Sequence, residues 1–140
     1  MSKYEVVEKF VSINGEGTKA GQLAVFIRFK GCNLNCKYCD TKWANEQETP
    51  SQPMTEKEIL DYVLSTGVKN VTLTGGEPLL REGIENVITV LAENNLNIEI
   101  ETNGSVYLDK IRKLHKENVT FTMDYKLSCS GMEAAMNLDN

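Results

Sequence analysis

The chain alternates between strand-like and helix-like hydrophobic periods, and this order constrains its fold more than any other feature. Val68–Thr74, Ile98–Glu101 and Val119–Tyr125 have the apolar and β-branched content of strands. Ile84–Ala92 and Val106–Leu114, which lie between them, carry apolar residues at helical spacing. Because strands separated by helices pair in parallel through right-handed crossovers, the order predicts an α/β fold.

The N-terminal half adds two predicted strands and one predicted helix. Tyr4–Ser12 and Leu23–Phe29 are strand-like in composition. A helix is predicted to begin after Thr55, which forms a capping box with Glu58, and to end at Gly67.

Length and charge narrow the class of protein. With 140 residues, 41% of them hydrophobic, the chain can bury one substantial core, so we expect a single domain. The formal net charge is −5 without a long basic run, which gives no support to a nucleic-acid surface or a polybasic membrane tether. No apolar stretch approaches the ~18 residues that would span a bilayer. We therefore expect a cytoplasmic protein, in a compartment that keeps thiols reduced.

Trp43–Pro53 is predicted to be irregular, because it is polar and contains two prolines. Trp43 and Met54 are interpreted as packing residues at the edges of loops. His115, the single histidine, lies near the end of the third predicted helix. A solvated or dipole-facing role is commoner than catalysis at such a position.

Four polar motifs come directly after predicted strands. They are Cys32–Thr41, Thr74–Pro78, Glu101–Gly104 and Asp124–Lys126. Each alone is compatible with an ordinary turn, since Gly-Gly and Asn-Gly are common turn formers. Because functional sites of parallel α/β folds lie at the carboxyl ends of the strands, the four motifs together predict one shared site.

Cys32, Cys36 and Cys39 lie within eight residues. Three thiolates can hold three irons of a 4Fe-4S cluster and leave the fourth iron open to a small molecule. A structural zinc site is the alternative, with Cys129 or His115 as the remaining ligand, although this spacing is unusual for zinc. A disulfide framework is disfavoured, because the cysteines are too close together and no secretory signal is present.

Two of these motifs together resemble the radical S-adenosylmethionine (radical SAM) superfamily: the cysteine loop Cys32–Cys39 and the Gly-Gly-Glu-Pro run in Thr74–Pro78. Further segments resemble the 7-carboxy-7-deazaguanine synthase family within it, and the similarity extends from about Glu8 to Met132. These segments are Ile13–Gly17, Phe26–Phe29, Cys39–Thr41, Glu101–Gly104, Asp124–Lys126 and Ser130–Gly131.

The resemblance implies a fold and an activity. The fold is a partial, incomplete radical SAM βα barrel with parallel strands and an N-terminal strand pair, in which residues 1–140 form one radical SAM domain that is short at its C-terminus. The implied reaction converts 6-carboxy-5,6,7,8-tetrahydropterin to 7-carboxy-7-deazaguanine with loss of ammonia, in queuosine and deazapurine biosynthesis. The implied cofactors are a 4Fe-4S cluster, S-adenosylmethionine and Mg²⁺. The implied partners are an electron donor such as flavodoxin or ferredoxin and a second copy of the chain.

The resemblance also implies roles for individual residues, and none is catalytic beyond the cluster and cofactor. The cluster ligands are Cys32, Cys36 and Cys39. The cofactor-binding residues are Tyr38, Cys39, Asp40, Gly76, Asp124, Tyr125 and Lys126. The substrate-binding residues are Ile13, Asn14, Gly15, Glu16, Arg28 and Thr74. Thr41 is implied to bind Mg²⁺, a cation that prefers oxygen ligands.

Some of these residues also have ordinary structural interpretations. The planar guanidinium of Arg28 suits a substrate carboxylate, but an ion pair with Glu5 or Glu8 on the adjoining strand is equally compatible with the sequence. Tyr38 suits packing on an adenine and equally suits a surface position. Ser128 and Cys129 depart from the family's Leu-Pro-Ser-Ser-Gly pattern, and we expect Cys129 to be a spare thiol.

Two other activities remain open at the level of sequence. A small activase that installs a glycyl radical on a partner protein shares the cysteine loop, but it does not need a carboxylate-binding Arg28. A zinc-binding interaction module would need no catalysis.

Overall fold

The computed structural model describes residues 2–31, 42–114, 116–124 and 131–137, and these residues form a six-stranded sheet with helices. The strands are β1 (Tyr4–Ile13), β2 (Leu23–Phe29), β3 (Gln52–Met54), β4 (Asn70–Gly75), β5 (Asn97–Thr102) and β6 (Val119–Met123). The α-helices are α1 (Glu56–Thr66), α2 (Ile84–Glu93) and α3 (Asp109–Arg112), and short 3-10 turns occupy Lys42–Asn45, Pro78–Leu80 and Glu133–Ala135.

The strand order is β3-β1-β2-β4-β5-β6. β2, β4, β5 and β6 are parallel neighbours, whereas β1 pairs antiparallel with both β2 and β3. Within the described residues β3 and β6 are the two edges, so the sheet is not closed. The predicted α/β class, with a partial barrel of parallel strands and an N-terminal strand pair, is confirmed.

One face of the sheet is apolar and packs against the helices. Alternate residues of the parallel strands, such as Ile27, Leu73 and Ile100, are fully buried in one cluster with side chains of α1 and α2 such as Ile59 and Ile88. Burial of apolar surface at ~25 cal/mol per Å² is the main force that holds these layers together.

The start and end of α1 follow the prediction. Thr55 Oγ1 accepts from the backbone N–H of Glu58, and the Glu58 side chain accepts from the Thr55 N–H at 2.7 Å, which completes the capping box. Gly67 ends the helix with φ 72°, a left-handed conformation that glycine adopts without a Cβ clash.

The predicted irregular segment Trp43–Pro53 was partly wrong. It contains the end of a 3-10 turn and the beginning of β3, in which Pro53 pairs with Glu5 of β1. Proline is tolerated there because β3 is an edge strand, where a missing N–H leaves no central ladder broken. Met54, also in β3, is 4% exposed and is a core residue, whereas Trp43 is exposed.

The third predicted helix, Val106–Leu114, was too long. The structure has a single turn, α3, and Leu108 precedes it without a side-chain cap. Gly104, two residues before the predicted start of this helix, has φ 75° and lies in a turn. Helices this short have little intrinsic stability, and Leu108 and Ile111 hold the turn by packing into the core. The boundaries of the other predicted elements agree with the structure to within two residues, as expected for element ends.

The second face of the sheet carries charged and hydroxyl groups at several of the positions that alternate with the core, beside the stacked rings of Phe10 and Phe26. On this face Glu8 of β1 is opposite Arg28 of β2, and Arg28 is beside Thr74 of β4. A second row, two residues nearer the amino ends of the strands, consists of Thr72 of β4, Glu99 of β5 and Thr120 of β6. The alternation of the strands therefore separates a packing face from a face on which polar groups converge.

Candidate functional site

The loop after β4 is bound to the end of β2 through its backbone. Gly76 N–H donates to Phe29 O at 3.3 Å, and Glu77 N–H donates to Gly31 O at 3.0 Å. A Cβ added to Gly75 would overlap the carbonyl oxygen of Phe29 and lie 2.8 Å from its nitrogen, and Gly75 has φ 145°. Only glycine permits this approach. The Gly-Gly-Glu-Pro loop thus holds the residue that directly precedes Cys32.

The buried carboxylate of Glu77 connects this loop to the loop after β5. Oε1 accepts from Leu79 N–H at 3.1 Å and from Thr102 Oγ1 at 2.9 Å, and Oε2 accepts from Asn103 N–H at 2.7 Å. Glu77 is 0% exposed, so these bonds replace its hydration. Asp124 joins the same end of the sheet, where its N–H donates to Thr102 O at 2.9 Å. The loops after β4 and β5 and the end of β6 are therefore fixed to one another, at the end of the sheet where the sequence predicted a shared site.

Arg28 and Thr74 are neighbours on the polar face, and Thr74 directly precedes the Gly-Gly-Glu-Pro loop. Arg28 Nε contacts Glu8 Oε2 at 3.0 Å, so the ion pair that the sequence left open is present. Thr74 Oγ1 donates to Glu101 Oε2 at 2.8 Å. Arg28 is one of the charges that act on Glu101. The polar face therefore holds a guanidinium, a hydroxyl and carboxylates within one neighbourhood.

Glu101 has a perturbed acidity. Burial raises the pKa of its carboxyl above the ordinary value of 4.5, and the negative charges of Glu16 and Glu99 act in the same direction. The hydrogen bond from Thr74 and the charge of Arg28 lower the pKa and offset part of this effect. A pKa perturbed by burial and neighbouring charges is common at binding and catalytic sites.

The loop that follows β1 closes the polar face at its other end. Asn14 is buried and its Nδ2 donates to Glu99 Oε2 at 3.2 Å and to Thr72 Oγ1 at 3.4 Å. Thr122 Oγ1 donates to Glu99 Oε1 at 3.1 Å. Gly17 has φ 72°, and a Cβ there would lie 2.6 Å from Thr122 Oγ1. This network of Asn14, Thr72, Glu99 and Thr122, called the floor network below, fixes the loop against three strands.

A cavity of about 190 Å³ opens beside the floor network, at the amino ends of β4, β5 and β6. Asn14, Thr72 and Glu99 form one wall, and Lys19, Asn97 and Asn118 lie on others. It is at the opposite end of the sheet from the Gly-Gly-Glu-Pro loop.

The structure brings several predicted site residues together and leaves others elsewhere. Asn14, Arg28 and Thr74 lie on the polar face, and Glu16 is close enough to influence the acidity of Glu101. Ile13 is 64% exposed and belongs to the opposite face of β1. Some predicted residues lie outside the described part of the chain: Cys32, Cys36, Tyr38, Cys39, Asp40, Thr41, His115, Tyr125, Lys126, Ser128 and Cys129.

Glu77, Glu99 and Glu101 lie at the candidate site, although the sequence motifs assigned no role to any of them. A signal for two of them exists in the sequence, because Glu99 and Glu101 alternate with Ile98 and Ile100 in a predicted strand. Two carboxylates at positions i and i+2 of a strand lie on one face of the sheet. Acidic residues at alternate positions of a buried strand therefore indicate a polar interior.

The residues around the cysteine loop fit an anionic metal cluster. Among the described residues no group of three or more His, Cys, Asp or Glu side chains is arranged to hold a metal. Arg81 Nε is buried without a hydrogen-bond partner, and the Arg81 guanidinium lies beside Gly31, which precedes Cys32 in the chain. An unsatisfied cation beside the residue that precedes Cys32 suits the negative charge of an iron-sulfur cluster, and cysteine thiolates are the ligands that such clusters use.

Comparisons with known proteins agree with this geometry. The family profile described as "Radical SAM superfamily" matches residues 26–126. The chain is 62% identical over 138 residues to a 7-carboxy-7-deazaguanine synthase of Clostridium acetobutylicum, covering 98% of this chain and 62% of the relative. It is 35% identical over 126 residues to the synthase of Bacillus cereus, covering 86% of this chain and 53% of that relative.

The crystal structure of QueE from Escherichia coli is similar to this fold, with a TM-score of 0.65 and 28% identity. The similarity covers 74% of this chain and 54% of that chain. The chain thus spans less than two thirds of the length of these relatives. No helix among the described residues is long and apolar enough to cross a membrane. The profile match over most of the sequence and the shared fold establish that the chain belongs to the radical SAM superfamily.

Proposed function

We propose that this chain carries the radical SAM reaction that converts 6-carboxy-5,6,7,8-tetrahydropterin to 7-carboxy-7-deazaguanine with loss of ammonia. The observation that carries the proposal is the polar face itself, where Arg28, Thr74 and Glu101 lie directly beneath the Gly-Gly-Glu-Pro loop. A small substrate with a carboxylate and several N–H groups matches these side chains. The names of the relatives support the same reaction.

Arg28 is proposed to hold the substrate carboxylate. A guanidinium has five N–H donors, and Glu8 engages the one on Nε. The two terminal amino groups point along the other edges of the same plane, where they can form a fork with a carboxylate. In this arrangement the Glu8 ion pair and the substrate contact are compatible, because Glu8 orients the guanidinium and leaves its remaining donors to the ligand.

Glu101 and Thr74 are proposed to bind the pterin ring. The 2-amino-4-oxo edge of a pterin presents two adjacent N–H groups, which match the two oxygens of a carboxylate. Thr74 holds one of these oxygens. Asn14, Gly15 and Glu16 are proposed to contact the ring from the loop that the floor network fixes.

The superfamily uses a 4Fe-4S cluster with S-adenosylmethionine, which together supply a 5′-deoxyadenosyl radical. We propose Cys32, Cys36 and Cys39 as the cluster ligands and Thr41 as the residue that binds Mg²⁺ beside the substrate. Residues proposed to hold S-adenosylmethionine are Tyr38, Cys39, Asp40, Gly76, Asp124, Tyr125 and Lys126. We further propose a flavodoxin or ferredoxin as electron donor, a homodimer, a cytoplasmic location and one radical SAM domain over residues 1–140.

The test is to reconstitute the chain without oxygen, measure iron and sulfide, and incubate it with the tetrahydropterin and S-adenosylmethionine. Mass spectrometry should detect 7-carboxy-7-deazaguanine together with 5′-deoxyadenosine. Arg28→Ala should weaken substrate binding by roughly ten- to a hundredfold, the value of a charge-assisted fork of ~1.5–3 kcal/mol. Its slow substrate-free cleavage of S-adenosylmethionine should persist.

Glu8→Gln is the matched control for Arg28, because it removes the ion pair and keeps the guanidinium. We expect Glu8→Gln to raise the substrate KM much less than Arg28→Ala does. Equal losses in both variants would show that Arg28 acts through the ion pair alone. A colourless protein that contains zinc and no sulfide would overturn the proposed reaction and favour an interaction module.

A further inference from the structure

Arg81 is a cation without a counterion in the described part of the chain. It follows the Pro78–Leu80 turn, and its Nε atom is buried without a hydrogen-bond partner. Arg81 as a whole is partly exposed, but a buried polar atom without a partner is unfavourable. An unpaired buried atom of this kind calls for an explanation, and a bound ligand that supplies the missing partner is one.

Gly31 brings this guanidinium next to the cysteine loop. A Cβ built on Gly31 would lie 3.2 Å from Arg81 Nη2 and 3.4 Å from Nη1, so a side chain at position 31 would crowd the guanidinium. Gly31 also has φ 92°, which favours glycine. Cys32 is the next residue, and consecutive Cα atoms are ~3.8 Å apart. Arg81 therefore lies against the residue that directly precedes Cys32 in the chain, and charges closer than the screening distance of ~10 Å at 0.1 M salt are only partly screened.

We propose that Arg81 stabilises the reduced form of the cluster and so sets its reduction potential. The inference rests on the proposed function only in requiring the cluster on Cys32, Cys36 and Cys39. One electron passes from a one-electron carrier protein to the cluster, which becomes more negative by one charge, and Arg81 forms or breaks no bond. Because the cation attracts the more negative state more strongly, it favours reduction. Hydrogen bonds and charges around a cluster are known levers on its potential.

The experiment compares Arg81→Gln with the wild type and with Lys69→Gln. Lys69 is an exposed cation directly before β4, at the opposite end of the strand from Gly75, so both variants lose one positive charge. The strand spans ~17 Å at 3.3 Å per residue, which places Lys69 beyond the screening distance. Midpoint potentials are measured by anaerobic titration with dithionite, followed by electron paramagnetic resonance, without S-adenosylmethionine or pterin.

We expect Arg81→Gln to lower the equilibrium constant for reduction about tenfold, which is ~59 mV for one electron. Arg81→Lys should retain most of the wild-type potential, and Lys69→Gln should not shift it. A shift in Arg81→Gln no larger than that in Lys69→Gln would overturn the proposal. So would failure of Arg81→Lys to bind iron while its circular dichroism is unchanged, because the residue would then be needed for assembly.

This result is separable from the proposed reaction. A wild-type chain that binds the cluster but does not convert the tetrahydropterin would refute the reaction and still allow the potentials to be compared. A wild-type chain that binds zinc in place of iron would refute both.

Discussion

Glu77 and Glu99 are both buried carboxylates that hold a loop against the sheet, but their partners differ in kind. Glu77 accepts from two backbone N–H groups, of Leu79 and Asn103, as well as from the Thr102 hydroxyl. Within the described part of the chain, Glu99 accepts hydrogen bonds from side chains alone, those of Asn14 and Thr122. A backbone N–H is always a donor, whereas a hydroxyl can donate or accept. The carboxyl end of the sheet, where Glu77 lies, is therefore less adaptable than the amino end, where Glu99 lies.

The glycines show the same contrast between the two ends. Gly75 is confined by backbone atoms of Phe29, which cannot move without moving β2. Gly17 is confined by the side-chain ends of Glu99 and Thr122, which can rotate away. The end that precedes the cysteine loop is built from fixed backbone contacts, and the floor network is built from side chains. A site that must position a cofactor benefits from the rigid construction.

The largest effect that tests this contrast is expected from Gly75→Ala. The new Cβ would overlap Phe29 and also adopt a φ of 145°, which L-residues rarely occupy. Backbone strain and overpacking each cost ~1–3 kcal/mol, so we expect a loss of ~4 kcal/mol in the free energy of unfolding. Urea unfolding followed by circular dichroism measures it.

Gly15→Ala is the control for this substitution, because no atom lies within 4 Å of the position that its Cβ would take. Its free energy of unfolding should change by less than about 1 kcal/mol. If Gly75→Ala were as mild as Gly15→Ala, the backbone contact with Phe29 would not be rigid and the contrast between the two ends would fail.

Glu77→Gln should have the second largest effect. Glutamine keeps one acceptor oxygen but places an NH₂ group where a backbone N–H of Leu79 or Asn103 also donates. Two N–H donors then face each other in the protein interior, and we expect the free energy of unfolding to fall by ~3 kcal/mol. Glu82→Gln, at an exposed position, should change stability by less than about 0.5 kcal/mol. Equal midpoints of urea unfolding for the two variants would refute the role of Glu77.

Glu99→Gln should lower the free energy of unfolding less than Glu77→Gln does, although both carboxylates are buried. Its amide oxygen can still accept from Asn14, and its NH₂ can donate to Thr122 once that hydroxyl reverses its role. We expect a loss of ~1 kcal/mol, the value of an ordinary hydrogen bond. With Thr122→Val as background the reversal is impossible, so the same substitution should become more costly. A double-mutant cycle in urea measures the difference, and a coupling energy of zero would contradict the explanation.

Patterns that depend on neighbouring residues predicted the fold well. The capping box of Thr55 and the terminating Gly67 involve residues within one turn, and the alternation of strands and helices fixed the parallel sheet. β3 was missed because a short edge strand depends on its pairing with β1, which is distant in sequence. Val106–Leu114 was predicted too long because helical periodicity does not show where a preceding turn ends.

The candidate site divides in the same way. Thr74 and Arg28 were predicted because they belong to motifs that can be identified along the chain. Glu99 was not, because its partners come from the loop after β1 and from β6, and only the folded sheet brings them together. The cysteine loop and Thr41 lie outside the described residues, so their roles stay predictions.

The smallest expected effect concerns Glu101, whose acidity distinguishes it from the two carboxylates above. Burial and the charges of Glu16 and Glu99 raise the pKa of Glu101 above 4.5 in the folded state. Between 4.5 and the raised pKa the folded state binds more protons than the unfolded state, so the free energy of unfolding decreases as pH rises through this range. Above the raised pKa, the folded state carries the full energetic penalty of a buried negative charge.

Glu101→Gln should therefore be slightly more stable than the wild type at pH 7.5, by less than about 1 kcal/mol because the group is partly solvated. The gain should disappear at pH 4, where the carboxyl is protonated in both states. Glu58→Gln is the control with the opposite sign, since hydrogen bonds from Thr55 lower the pKa of Glu58. That variant should be less stable than the wild type at pH 7.5 and approach it as pH falls. Urea unfolding at several pH values measures both trends. A stability difference for Glu101→Gln that does not vary with pH would mean that its charge has no cost in the fold, and that burial does not perturb its acidity.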